Sequence, residues 1–239
     1  METGFYVIYL IAMMATGIYL LIRGKKDKIF SLFGTACFIL AFGDAFHLIP
    51  RAVGLFTNTL DSPDATLDFW LGIGKFITSL TMTLFYLFLY LFIYRRSGTS
   101  RTKYWNITIC ALTVIRLLLC SLPQNEWLTN QSPLTWGIIR NVPFVIHGVL
   151  IMILCFQMLR TEKYYRWLWL AIAFSFAFYI PVVILAAKYS WVGMLMLPKT
   201  ICYLWIASMG LRDYRNRAKE QGTDGEDPSY QKKKTETES

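Results

Sequence analysis

The sequence predicts an all-α membrane protein: a bundle of seven transmembrane helices with the N-terminus outside and a polar C-terminal tail in the cytoplasm. Three observations carry this expectation. Of 239 residues, 55% are hydrophobic and only 16% charged, where an ordinary soluble domain carries about 25% charge. The apolar residues gather in seven runs, each close to the roughly 20 residues a helix needs to cross hydrocarbon. The basic residues cluster in alternate connections between those runs. Helices are expected rather than strands, because an open strand in lipid leaves backbone polar groups unpaired. Barrel strands would also alternate polar and apolar positions, and these runs are continuous.

The first run, about 4–22, follows Met1-Glu2-Thr3. A signal peptide would open with positive charge, so this run is expected to stay as helix 1, followed by Arg23, Lys25, Lys26 and Lys28. Helix 2, about 29–50, closes on Arg51, and Asp61, Asp64 and Asp68 lead into helix 3, about 69–94. Arg95, Arg96, Arg101 and Lys103 come next, then helix 4 at about 104–122 and a connection containing Glu126. Helix 5, about 135–159, is followed by Arg160, Lys163 and Arg166. Helices 6 and 7, about 165–187 and 189–211, are separated by Lys188 and followed by Arg212, Arg215, Arg217 and Lys219. Every connection obeys the positive-inside rule for an N-out, C-in protein of the plasma membrane. Aromatic residues at the run ends, among them Trp70, Tyr94, Tyr104, Tyr165 and Trp191, are expected to form an interfacial belt. Residues 1–213 then make the transmembrane domain. Residues 214–239 make a polar, disordered tail, whose Lys232-Lys233-Lys234 run reads as a solvated charge cluster.

The net charge of +9 does not point to nucleic acid, because the cations sit in short clusters that serve topology. All five cysteines, Cys37, Cys110, Cys120, Cys155 and Cys202, fall inside apolar runs with no CxxC spacing. Neither a disulfide framework nor a zinc ribbon is indicated; they read as small packing residues.

Function has to come from the ionisable residues inside the runs, which are costly in a bilayer and usually have a purpose. Asp44, His47 and Arg51 are spaced i, i+3, i+7 on one side of helix 2. Lys75 in helix 3 and Arg116 in helix 4 each lie about 9 Å below the outer surface at 1.5 Å per residue. Helix 5 supplies Arg140 and, two turns deeper, His147; helix 7 supplies Lys199, roughly 15 Å in. All belong to the outer half or the midplane, so they are expected to converge on one cavity open to the outside. Its sign is positive: Lys75, Arg116, Arg140 and Lys199 face one acid, Asp44. Unpaired buried charge is expensive, and arginine forks suit carboxylate and phosphate, so an anion is expected to complete the site. Pro143, Pro181 and Pro198 lie inside helices 5, 6 and 7, and Pro198 places Lys199 at an expected helix break.

Seven helices with a lysine in the last resemble the retinal proteins in outline. Pro198-Lys199-Thr200 falls at a Schiff-base position, and Leu40-Ala41-x-x-Asp44 resembles the helix 2 signature of rhodopsin-type receptors. Helix 3 has neither their carboxylate counterion nor an Asp-Arg-Tyr type motif, so no residue role is carried over. The topology also resembles sugar transporters built from two three-helix repeats, but the repeat signature is missing and a cationic site mismatches neutral sugars. Asp44, His47 and His147 are spaced like metal ligands of intramembrane hydrolases, and the surrounding cations oppose a divalent ion, so no metal and no cofactor is expected.

The leading expectation is a transporter or sensor that binds a small anion or anionic lipid headgroup. Arg116, Arg140 and Lys199 would hold the charge, Lys75 and Arg51 would steer it, and Asp44 and His47 would position the cations or exchange a proton. His147 is included in the site. A sensor of this kind needs a partner protein for output. An alternative is an intramembrane hydrolase or transferase acting on an anionic or lipid substrate, with Asp44 and His47 as base and Ser175, Thr113 or Tyr179 as nucleophile. A second alternative is a structural or partner-binding subunit whose internal ion pairs include Asp44 with Arg116 or Arg140.

Overall fold

The computed structural model describes residues 2–25, 27–60, 64–98, 103–129, 133–186 and 188–226, with side chains to residue 220 except that of Ser190. The protein is all-helical across them. Its long helices are α1 (Glu2–Arg23), α2 (Lys28–Phe56), α3 (Ala65–Ser97), α4 (Lys103–Ser121), α5 (Leu134–Leu159), α6 (Leu168–Leu185) and α7 (Met196–Glu226). Short 3₁₀ segments, Pro123–Asn125 and Ser190–Leu195, precede α5 and α7. The seven spans are long and apolar enough to cross a membrane.

Local chemistry sets the helix ends. Asp27 accepts a hydrogen bond from the Ile29 amide (2.9 Å) at the start of α2, and Asp64 accepts one from Leu67 (2.8 Å) at the start of α3. Each satisfies an amide that has no intrahelical partner. At its other end α3 stops on Gly98, whose φ of 64° is a left-handed cap, with Arg95 and Arg96 in the last turn facing the negative end of the helix dipole.

The helices form a sequential ring that closes where α1 meets α7, with α3 touching α5 and α2 touching α7 across the interior. Small residues set the tightest approaches, as expected where helices pack without a hydrophobic drive between them. Gly17 of α1 lies against the Phe38 backbone, and Gly74 of α3 lies against the Phe46 carbonyl and the His47 Cα. Pro50 explains the second contact. It has no N–H to give the Phe46 carbonyl four residues back, so that oxygen is left free to face α3. Helix α4 buries only Ile109, Thr113, Arg116 and Cys120, a single i, i+4, i+7, i+11 stripe, so it leans on the ring by one face.

The end of the bundle holding the α3 C-terminus is locked by ions. Arg96 reaches Glu162 (2.8 Å) and Asp213 (3.5 Å), Arg217 reaches Asp213 (3.3 Å), and the Tyr165 hydroxyl donates to Asp213 (3.1 Å). Burial and the adjoining Asp213 carboxylate push the Tyr165 phenol well above its ordinary range, which keeps it a donor.

Several expectations change. Tyr94 and Tyr165 are buried and so do not belong to the interfacial belt; Tyr165 packs edge-on to Phe92. Cys110 is exposed on α4, unlike the four buried cysteines. Helix α2 runs through Pro50 to Phe56, and α6 starts at Leu168 rather than near 165 because residues 161–167 form turns. Helix α7 continues past 211 to Glu226, held there by Tyr214 packing on Tyr19 and Phe30. Residues 227–239 of the predicted tail, with Lys232-Lys233-Lys234, and also Lys26, Asp61 and Arg101, lie outside the described residues.

Candidate functional site

A cavity of about 690 Å³ enters the bundle where α3, α5 and α7 begin and α2 and α6 end. Helix α3 lines it with Lys75, Thr78, Ser79 and Met82, a stripe at i, i+3, i+4 and i+7. Helix α2 adds His47, and α5 adds Arg140 and Asn141. Helix α6 presents Tyr179, Val182 and Val183, and α7 presents Met196 and Lys199. Three cations therefore border the cavity, and among the described residues none that lines it is acidic.

Arg140 is aimed by the connection after α4. Its Nη1 donates to Asn125 Oδ1 (2.7 Å), and its guanidinium lies over the Trp127 ring (4.2 Å). Asn125 is fixed in turn through Nδ2 to the Leu119 and Leu122 carbonyls (2.7 and 2.9 Å). The Trp127 indole N–H donates to the Cys120 carbonyl (2.7 Å). Lys199 is set into soft, electron-rich surfaces: its Nζ is 3.5 Å from Met82 Sδ and 4.3 Å from the Tyr179 ring centre. Its residue is 4% exposed, and among the described residues it forms no ion pair. Pro198 does not break α7. It falls in the first helical turn, where the missing N–H costs nothing, and the irregular stretch is the 3₁₀ segment before it.

Four of the eight residues expected at the site, His47, Lys75, Arg140 and Lys199, line the cavity; the other four do not. Asp44 accepts a hydrogen bond from the Tyr9 hydroxyl (2.6 Å). Arg51 donates to the Tyr6 hydroxyl (3.0 Å) and lies 3.6 Å from Glu2. Helical geometry separates them from His47: seven residues return to within about 20° of the starting direction, whereas three stop about 60° short. Asp44 and Arg51 therefore turn together toward α1, and His47 turns toward the cavity. Among the described residues Asp44 pairs with neither Arg116 nor Arg140, so the internal ion pair expected there is not formed.

Arg116 sits behind the wall as a strut. It is 1% exposed, with Nε donating to Thr83 Oγ1 (2.9 Å) and Nη1 to the Arg140 carbonyl (2.8 Å) and Asn141 Oδ1 (2.9 Å). Its guanidinium stacks on Phe144 (3.8 Å). His147 is fully buried near Tyr86, and among the described residues neither ring nitrogen has a hydrogen-bond partner. Ser175 and Thr113 are buried away from the cavity, whereas Tyr179 lines it. Among the described residues no three of His, Cys, Asp and Glu come together as a metal site would require.

Sequence reasoning missed the two asparagines. Asn141 accepts from Arg116 and from the Tyr179 hydroxyl (2.7 Å) and donates to the Gly137 carbonyl (2.7 Å), joining α4, α5 and α6. An amide in an apolar run is itself a signal of helix-to-helix bonding. No protein-family model, curated protein or solved structure matches the chain. The cavity's own chemistry is therefore the ground for a functional reading.

Proposed function

We propose that this is an N-out, C-in protein of the cell membrane that takes a small anion or an anionic headgroup from the outside into the cavity, as a transporter or sensor. One observation carries the reading: Lys75, Arg140 and Lys199 line the same cavity, from three different helices, with no carboxylate among its described lining residues. Lys199, 4% exposed and in no ion pair among the described residues, is costly at such a place unless an anion meets it. Lys75, Arg140 and Lys199 bind the ligand, and His47 stands beside it. Arg116 acts through Asn141, bracing the wall on which Arg140 is carried, and Arg51 belongs to the α1–α2 seam.

Thermal unfolding of the purified protein across a panel of carboxylates, phosphates and sulfate tests this. A true ligand at a hundredfold excess over its dissociation constant should stabilise the fold by about 2.7 kcal/mol. Lys199→Met and Arg140→Gln should each abolish that gain. Melting indifferent to every anion would overturn the proposal. Flux of the stabilising anion into proteoliposomes then separates transport from sensing.

A further inference from the structure

The cavity lining is of two kinds, and the mixture narrows the ligand. Helices α3, α5 and α7 supply the cations. Val182 and Val183 of α6, Ala186 just after it, Leu134 of α5 and Met196 of α7 supply apolar surface. Most neutral polar groups of the lining are already engaged by the protein. The Thr78 hydroxyl donates to the Gly43 carbonyl (3.0 Å) and Ser79 to the Lys75 carbonyl (2.7 Å). The Tyr179 hydroxyl donates to Asn141 Oδ1 (2.7 Å), and Asn141 Nδ2 donates to the Gly137 carbonyl (2.7 Å). A sugar or polyol, which needs many neutral partners, would find few. What the lining offers is positive charge together with apolar surface.

Size points the same way. At about 690 Å³ the cavity falls in the roughly 300–1,000 Å³ range that encloses drug-sized ligands. It has room for on the order of twenty waters at about 30 Å³ each. Phosphate or sulfate would leave most of that space wet and the valine face unused.

Resting on the anion-binding reading above, we infer that the ligand is an amphiphile with one anionic head and an apolar body. The head lies among Lys75, Arg140 and Lys199, and the body lies along Val182 and Val183 of α6. The mouth is formed at the helix ends, by Pro133, Ala186 and Met196, so the ligand enters as a free solute along the bundle axis.

The test is titration calorimetry on the full chain in phosphatidylcholine nanodiscs, with acetate, butyrate, hexanoate, hexanamide and inorganic phosphate as probes. Affinity should rise roughly fourfold per methylene, the equivalent of about 0.8 kcal/mol per buried CH₂, and hexanamide should not bind. Val183→Ser should flatten that rise, weakening hexanoate several-fold more than acetate. A flat series, or phosphate binding as tightly as hexanoate, overturns the amphiphile and leaves the anion reading standing. Silence from every anion overturns both. Hexanoate should bind equally when phosphatidylglycerol is added to the nanodiscs; its displacement would overturn the free-solute route and assign the same chemistry to a bilayer lipid.

Discussion

Asn141 shows how a neutral side chain can govern a charged site. Its carbonyl oxygen takes hydrogen bonds from Arg116 and Tyr179 at once, so one amide fixes a buried cation and a cavity-lining phenol. Asn141→Leu removes that acceptor from two donors, Arg116 and Tyr179, at a position that is itself buried. The Arg116 guanidinium already has one nitrogen, Nη2, buried without a partner among the described residues, and has little capacity to absorb a second loss. A hydrogen bond to a charged group is worth about 1.5–3 kcal/mol, and the mutant is expected to lose at least that in unfolding free energy. Chemical denaturation in detergent, with the same change made at an outward-facing residue such as Thr108 as a control, measures it. At this scale the sequence is legible for charge and much less so for direction. The cost of ionisable groups in lipid draws attention to Lys75, Arg140 and Lys199, which do share a cavity. Spacing alone cannot say that Asp44 and Arg51 turn to α1, because the hydroxyls that hold them, Tyr9 and Tyr6, belong to a helix with no charge in its interior.

Among the elements, α2 and α3 make the most intimate pair, and their seam positions two of the cavity residues. Gly74 touches the backbone at Phe46 and His47, and its neighbour Lys75 lines the cavity with His47. A methyl group at Gly74 would meet the Phe46 carbonyl and the His47 Cα, neither of which can rotate away as a side chain could. Overpacking of this kind costs about 1–3 kcal/mol, against a helix-propensity gain of about 0.5–1 for replacing glycine. Gly74→Ala is therefore expected to be net destabilising by about 1–2 kcal/mol, and to weaken anion binding by displacing His47 from Lys75. Gly137, where an added Cβ meets nothing within 4 Å, is the control: Gly137→Ala should be neutral or slightly stabilising. Paired thermal melts of the two variants decide it. Helix number follows directly from the apolar runs, whereas helix ends do not. The expected helix 2 ends at residue 50, yet α2 continues to Phe56 because the Phe46 carbonyl freed by Pro50 is accommodated against Gly74. Helix α7 begins later than its apolar run because Ser190–Leu195 winds as 3₁₀.

Across the whole molecule the two ends of the bundle differ in kind. One end gathers Arg23, Arg95, Lys103, Lys163 and Arg212 with the ion-pair lock around Asp213; the other carries the mouth of the cavity. The proposed orientation, which rests on the charge bias, puts the first end in the cytoplasm, so cavity and orientation make a joint prediction: the mouth should open outward. Single cysteines placed at Leu128, exposed beside the cavity end, and at Lys103, exposed at the basic end, report on it. Both belong in a Cys110→Ala background, because Cys110 is the native cysteine that is exposed while the others are buried. A membrane-impermeant maleimide applied to intact cells should modify the cysteine at 128 and leave the one at 103 untouched until the cells are lysed. A stabilising anion should then protect a cysteine at Leu134, which is exposed and lines the cavity, when added from outside. Labelling of position 103 in intact cells would invert the topology and turn the cavity toward the cytoplasm. The ligand would then have to be a cytoplasmic anion, although the chemistry that recognises it would be unchanged.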